Sequence, residues 1–144
     1  MSEILAGSVL LVETYLSPSP LEGLGVFASQ FIPKGQKLWQ LDPAVDILLS
    51  PLQVAERPEV YQGFIRRYAY FDRTLGAYLL DGDHARFLNH CDTPNLDFSA
   101  ADGSGVAARD IQADEEILCD YRQFMEDVVL LPARSNGLAA HLPA

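Results

Sequence analysis

Arg86-Phe87-Leu88-Asn89-His90-Cys91-Asp92-Thr93-Pro94-Asn95 sets Asn, His, Asp, Thr and a second Asn around a single proline. Short polar side chains at this density in a non-helical run compete with the backbone for its hydrogen bonds, so the run reads as a loop wired by local bonds. Its side chains and exposed backbone could read a heteroaromatic ring with paired donor and acceptor edges. On composition alone, a polar loop that caps neighbouring turns is the more common reading of such a run.

Two other segments carry chemistry. Glu22-Gly23-Leu24-Gly25-Val26-Phe27-Ala28 lies N-terminal to the run. Its glycines lack Cβ atoms, so the backbone can take positive φ and lie close to a ligand. Alone it reads as a plain turn between strands, and no helix follows it as a dinucleotide fingerprint would require. Asp114-Glu115-Glu116-Ile117-Leu118-Cys119-Asp120-Tyr121 lies C-terminal. There an acidic turn runs into an apolar strand that ends in Asp-Tyr, which alone is an ordinary edge strand.

Between and around these segments the apolar runs are short and punctuated by 10 Gly and 9 Pro. Val9 to Tyr15 reads as a strand ended by Ser17-Pro18-Ser19-Pro20. Val26-Phe27-Ala28 and Gln36 to Leu41 are two more, each after a turn. Ser50-Pro51 is a helix start, with Ser50 as N-cap. In a second helix over Pro58 to Arg67, the intervals of three and four between Val60, Tyr61, Phe64, Ile65 and Tyr68 predict one buried face. Tyr68–Phe71 and Ala77–Leu80 pair around Asp72–Gly76, and Leu96–Ser99 and Gly105–Ala108 form a hairpin over Ala101–Ser104. Ile117 to Tyr121 is a last strand, Gln123 to Leu131 is helical, and the tail from Arg134 is loose. Many short strands with central helices predict a β-rich α+β domain of several small sheets. This is no βαβ alternation of the doubly wound kind.

Composition agrees with a single globular domain: 144 residues, 49% hydrophobic and 21% charged. Ten Lys and Arg against 20 Asp and Glu give a formal charge of −10. Such a surface repels phosphate and attracts a Lys-rich partner, so direct nucleic-acid binding is not expected. The apolar stretch Ile4 to Val12 is interrupted by Gly7 and Ser8, far short of a membrane span, and Glu3 stands where an export signal would carry positive charge. Cys91 and Cys119 alone make neither a disulfide framework nor a zinc cluster, so no metal and a reducing, cytoplasmic location are expected, or a nuclear one in a eukaryote. A Cys91 nucleophile beside His90, or a metal site from His84, His90, Cys91 and Asp92, lacks the necessary spacing; His84 and His141 read as solvent-facing or locally bonded.

Taken together and in order, the three segments resemble the SET domain, the family of S-adenosyl-L-methionine-dependent protein lysine methyltransferases. Gly23-Leu24-Gly25 matches the family's G-x-G. Arg86-Phe87-Leu88-Asn89-His90 with Pro94-Asn95 matches R-F-x-N-H-x-x-x-P-N. Glu116-Ile117-Leu118-Cys119-Asp120-Tyr121 matches E-L-x-x-D-Y with Ile for Leu. Tyr70-Phe71-Asp72 and Tyr78-Leu79-Leu80-Asp81 are similar to the strands leading into the asparagine–histidine motif. The resemblance covers about residues 8 to 124 and implies one SET domain over 1–144, with a separate helical or loose segment from 125.

The implied fold is a set of small curved sheets with a short helical insert and a C-terminal pseudoknot, in which the E-L-x-x-D-Y segment threads beneath an earlier loop. The resemblance implies that the backbone of Gly23, Leu24, Gly25 and Val26 contacts the methionine part of S-adenosyl-L-methionine, that Asn89 and His90 hold its amino-acid and adenine parts with Arg86, Tyr121 and Phe124 also at the cofactor, and that Tyr121 is catalytic. A lysine enters from the opposite face through a narrow channel, for which Tyr70, Tyr78, Phe98 and Cys119 are the expected lining, with Tyr68 an alternative to Tyr70 or Tyr78. Tyr121 is not expected to act as a committed base, because a phenol's pKa near 10 makes phenolate scarce. Cys119 stands where many members have Phe or Tyr, which implies room for di- or trimethylation.

The chain departs from the family in having no cysteine after Cys119. Either Phe124 with Met125 to Leu131, or a second copy of the chain, would then close the channel's open side. The expected partner is a Lys/Arg-rich protein such as a histone-like or ribosomal tail. The alternative is an inactive SET-like module that binds a basic peptide.

Overall fold

The structure, a computed structural model, describes residues 10–125. Ten short strands and two short helices alternate along them: β1 Thr14–Pro18, β2 Leu24–Ala28, β3 Lys37–Trp39, β4 Ile47–Leu49, α1 Pro51–Ala55, α2 Glu59–Tyr68, β5 Tyr70–Asp72, β6 Ala77–Leu80, β7 Asn89–His90, β8 Leu96–Asp97, β9 Gly105–Ala107 and β10 Glu116–Cys119. The larger sheet has the order β1-β2-β10-β8-β9-β3, with β7 also on β10; the smaller is β4-β6-β5. This is the β-rich α+β architecture expected, with α1 and α2 as its helical insert.

The decisive feature is the place of β10. It runs antiparallel to β2 on one edge, and parallel to β7 and β8 on the other. Between β7 and β8 the chain stays bonded to β10, Cys91 N–H donating to the Cys119 carbonyl at 2.9 Å and Asn95 N–H to the Leu118 carbonyl at 3.1 Å. The last strand is therefore held beneath the earlier Asn-His…Pro-Asn loop, which is the pairing that a threaded C-terminal segment requires. Val26, Ile32, Leu38, Leu79, Leu96, Ile111 and Ile117 are wholly excluded from solvent and form the core across both sheets. That apolar burial outweighs the entropy of closing such distant pairings.

Local signals explain most elements. Ser50 caps α1 reciprocally: its Oγ accepts from Gln53 N–H at 3.1 Å, and Gln53 Oε1 accepts from Ser50 N–H at 2.8 Å. Asp72 Oδ1 accepts from Thr74 and Leu75 N–H, so the turn between β5 and β6 is an Asx-type turn closed by Gly76 at φ +64°.

Four expectations are corrected. Over the described part of the expected Val9–Tyr15 strand, pairing starts only at Thr14, and β1 runs on through the Ser-Pro pair to Pro18, while Val9 lies outside the described residues. Leu10 N–H and Leu11 N–H bond instead to Asp83 Oδ2 and the Leu38 carbonyl, and an edge strand paired only to β2 can end on a proline. Gly25 lies inside β2, and only Gly23 takes positive φ, at +43°. The α2 periodicity is real but its face is not buried: Ile65 is covered, while Val60, Tyr61 and Phe64 are exposed. A three-stranded sheet is narrow, and it covers only the stripe that meets Val54, Ala69 and Leu80. Finally, Gln123 ends a single 3₁₀ turn, Tyr121–Gln123, rather than opening a helix. Phe124 caps that turn and Met125 forms a bridge to Asp72; residues 126–131 of the expected helix, the tail from Arg134 and His141 lie outside the described residues.

Candidate active site

The Asn-His…Pro-Asn loop works as a clamp. Asn89 is buried, and its Nδ2 lies 3.1 Å from the carbonyls of both Glu22 and Leu24 and 3.0 Å from Glu116 Oε2. One amide thus ties the G-x-G segment to the start of β10. Asn95, also buried, does the same one strand further: its Nδ2 donates to the Glu116 carbonyl at 2.9 Å, and its Oδ1 accepts from Leu118 N–H at 2.8 Å. Gly25 completes the joint, because a Cβ there would overlap the Glu116 carboxylate. The absent side chain of Gly25 therefore makes room for a protein carboxylate, not for a ligand.

His90 orients Tyr121. Its Nδ1 lies 3.1 Å from Tyr121 N, which must donate, so the imidazole proton is assigned to Nε2, 3.0 Å from Asp92 Oδ1. The Tyr121 ring is buried and its hydroxyl donates to the Leu88 carbonyl at 2.6 Å. With its only hydrogen committed, that oxygen can act further only as an acceptor. Burial pushes the phenol well above its ordinary value, and Cys119, Glu22 and Glu116 push it the same way.

Two hollows lie near this tyrosine, which lines the smaller one. A cavity of about 20 Å³ is lined by Tyr121, Trp39, Tyr70, Asp81, Phe98 and Phe124, among others. Its volume is about that of one water or one ammonium head. A cleft of about 370 Å³ opens on the outer side, and Trp39, Tyr70, Phe98 and Phe124 line both. The aromatics hold one another: Phe124 lies 5.0 Å from both Tyr70 and Phe98, and Trp39 meets Phe98 edge-on at 5.7 Å. The cleft also carries Asp72 and Asp102. Ser104's hydroxyl and backbone N–H, aided by Lys37, hold Asp102 down to about 2, so it stays charged.

Of the expected channel residues, Tyr70, Phe98 and Cys119 stand around the cavity with Tyr121. Tyr78 does not. On β6, Leu79 faces the main core and Asp81, just past the strand end, lines the cavity, whereas Tyr78 and Leu80 face the helical insert, where Tyr78 packs edge-on against Phe71 at 5.3 Å. Tyr68 likewise packs on Phe64 and Phe87. Of the expected cofactor residues, Gly23 and Leu24 are exposed and Asn89, His90 and Tyr121 converge beside them, but Val26 is a core side chain in the middle of the sheet. Arg86 turns away: its Nε donates to the Asp81 carbonyl at 3.1 Å and its guanidinium lies 5.7 Å over the Tyr68 ring. Phe124 packs on the channel aromatics and caps the 3₁₀ turn.

Sequence reasoning missed Trp39 and Asp81. Trp39 is the chain's single tryptophan, at the end of an alternating strand. Asp81 is a charged residue directly after the apolar run Ala77–Leu80, with the same parity as buried Leu79, and that parity was the available signal.

The oxygens fit a sulfonium cofactor. The Tyr121 hydroxyl and Leu88 carbonyl would supply acceptors to a cationic methyl bound beside them, and Glu22 and Glu116 provide the negative field already felt by the Tyr121 phenol. Asn89→Ala should remove the joint between G-x-G and β10 and leave Glu116 without its amide partner. Chemical denaturation should show a loss of about 2–4 kcal/mol, and calorimetry should show cofactor affinity falling with it; an unchanged midpoint would refute the clamp.

The SET-domain family profile matches residues 23–122. No curated protein sequence matches the chain. Among solved structures, it is similar to a Plasmodium falciparum protein assigned as a histone methyltransferase, at 24% identity and TM-score 0.52, covering 78% of this chain and 95% of that one. It is also similar to an apo ctPRC2 structure mutated in Ezh2, at 20% identity and TM-score 0.58, covering 81% of this chain and 16% of that one. A humanized, inhibitor-bound polycomb repressive complex 2 of Chaetomium thermophilum gives 21% identity and TM-score 0.59, with 80% and 16% covered. At these identities the structural likeness speaks to fold, and the matched profile speaks to family. The three motifs, the strand held beneath the Asn-His…Pro-Asn loop and the match over 23–122 lead to one assignment: the chain belongs to the SET-domain family.

Proposed function

We propose that the protein transfers a methyl group from S-adenosyl-L-methionine to the side-chain nitrogen of a lysine in a Lys/Arg-rich protein. The observation that carries this reading is that the outer cleft bearing Asp72 and Asp102 shares the walls Trp39, Tyr70, Phe98 and Phe124 with the small cavity that Tyr121 lines. A lysine stem is apolar and its head is the size of the inner cavity, so aromatic walls and a narrow end suit it. Asp72 and Asp102 at the cleft, on a chain of formal charge −10, suit a basic segment around that lysine.

On this reading the exposed Gly23–Leu24 backbone, Asn89 and His90 hold the cofactor, which supplies an activated methyl group when bound. The protein's task is then orientation. Aligning nitrogen and methyl in a fixed line can contribute up to about 7–11 kcal/mol in ideal cases. Tyr121 Oη, fixed by Leu88 and unable to donate further, accepts from the amine and lies against the developing charge.

The test is transfer of radiolabelled methyl from S-adenosyl-L-methionine to a histone or ribosomal protein pool. Labelling on lysine is expected; cofactor binding without transfer to any basic pool would favour the inactive binding module. Cys119 lines the inner cavity and is smaller than Phe or Tyr. Mass spectrometry of exhaustively reacted peptide is therefore expected to show di- or trimethyl-lysine, and product stopping at monomethyl-lysine would refute that role.

A further inference from the structure

Methyl transfer to lysine leaves one proton to be placed. A lysine arrives as ammonium, with a pKa near 10.4, and only the neutral amine can attack a sulfonium. Tyr121 cannot take the proton, since burial and negative neighbours hold its phenol protonated. Burial likewise pushes up Tyr70 and the Cys119 thiol. His90 has one nitrogen on Tyr121 N–H and the other on Asp92.

Asp81 differs. It lines the inner cavity together with Tyr121, it is buried, and its Oδ1 has no hydrogen-bond partner; among the described residues no other buried side-chain oxygen or nitrogen is in that position. A carboxylate oxygen left unsatisfied in an apolar interior is costly, and such an atom at the wall of a cavity marks a site for a donor.

We propose that Asp81 is the proton acceptor for the substrate lysine: its open Oδ1 takes a hydrogen bond from the ε-ammonium inside the aromatic cavity and then its proton. This rests on the lysine-methyltransferase reading above. The ammonium N–H bond breaks, its electron pair stays on nitrogen, and an O–H bond forms on Asp81. The nitrogen pair then forms the C–N bond as the S–CH₃ bond breaks, with that pair leaving on sulfur. The product departs as methylammonium, and Asp81 releases its proton to water. A buried ammonium–carboxylate pair loses hydration twice, whereas the amine–acid pair does not, so the dry cavity favours the transfer.

The surroundings suit a base rather than a permanent anion. Burial first, then the Asp46 and Asp83 carboxylates, raise the carboxyl to about 8 against the opposing pull of the Trp39 indole N–H and the Arg86 guanidinium. A base poised near the working pH transfers protons best. Asp46 is engaged by the N–H groups of Asp42 and Gly82, and Asp83 by those of Leu10 and Ala85. Tyr70, Cys119 and Tyr121 face the same space as neutral groups.

The test uses the peptide around the lysine labelled in the protein pool, and the same peptide with S-aminoethylcysteine there, whose amine is less basic. With the unsubstituted protein, kcat/KM should rise through a limb near pH 8 that is the same for both peptides, because the enzyme's carboxyl sets it. In Asp81→Asn the limb should follow the substrate amine, moving up toward its own ~10 for lysine. At about pH 8.5, kcat/KM should then be lower by about 10–100-fold, the neutral fraction of free lysine being about 1% there. The gap should narrow with rising pH, and cofactor affinity by calorimetry should be unchanged. A uniform loss at every pH and with both peptides would mean a merely structural role. A limb that shifts with the substrate amine in the unsubstituted protein would overturn the inference even if Asp81→Asn failed to fold. Absence of any lysine labelling by the unsubstituted protein would overturn the underlying reading, and the inference with it; labelling with an unmoved limb in Asp81→Asn would overturn the inference alone.

Discussion

Replacing Tyr121 with Phe is expected to lower kcat by about 10²–10³-fold while cofactor affinity stays within about two-fold, the scale seen when one pre-aimed polar group is removed from a reacting centre. The ring is buried and packs on His90 at 5.2 Å and Phe124 at 6.3 Å, so Phe keeps the shape of the site. What is lost is one oxygen. Its hydrogen goes to the Leu88 carbonyl at 2.6 Å, which on the proposed reading leaves its lone pairs as acceptors for the amine and methyl. The substitution also leaves that carbonyl without its partner, at about 1–3 kcal/mol. The variant should therefore melt lower yet remain folded, and near-ultraviolet dichroism with calorimetry separates this from global loss. Single-turnover transfer within about three-fold of the unsubstituted rate would remove Tyr121 from the chemistry.

The motifs tell which segments converge, and less about which way each side chain points. The order G-x-G, Asn-His…Pro-Asn, Glu-x-x-x-Asp-Tyr leads to a last strand held under an earlier loop, because Asn89 and Asn95 supply the amides that tie it there. Local chemistry makes the Ser50 cap and the Asp72 turn readable for the same reason: the bonding partners lie within three residues. Tyr78 is misplaced by sequence alone because face selection on β6 depends on register with β5, where Tyr70 sits opposite Leu79 and Phe71 opposite Tyr78, and neither run states that register. The α2 face is misjudged because periodicity predicts that a stripe exists, not that a partner is wide enough to cover it. The missing side chain of Gly25 suggests a ligand, and the neighbour that needs the space is Glu116, far along the chain.

Asp81→Asn is expected to stabilise the protein toward alkaline pH, by an amount that grows as pH climbs to about 8. The sign follows from linkage. An unfolded Asp titrates near 3.9, and burial raises the folded Asp81 to about 8. A group whose folded value is raised contributes stability that is fully present below about pH 4 and is lost as pH climbs through about 8. Above that, the native chain must either keep a charged carboxylate in an apolar cavity, with Oδ1 unpaired, or unfold and hydrate it. Asparagine keeps the shape and never ionises. Its advantage should be small at about pH 5 and reach about 3–5 kcal/mol near pH 8.5, since each pH step between the unfolded and folded values weakens the native state by up to about 1.4 kcal/mol. In a domain of this size that is a rise in Tm on the order of 10 °C. Parallel Tm-against-pH curves for the two proteins would show that the buried carboxyl imposes no such strain. A carboxylate that weakens the fold over the range in which it would accept a proton is what a working site looks like when function, not stability, has selected the residue. The same substitution is expected to improve the fold and to slow transfer; burial alone predicts the first, and only a proton-accepting role predicts the second with its pH dependence.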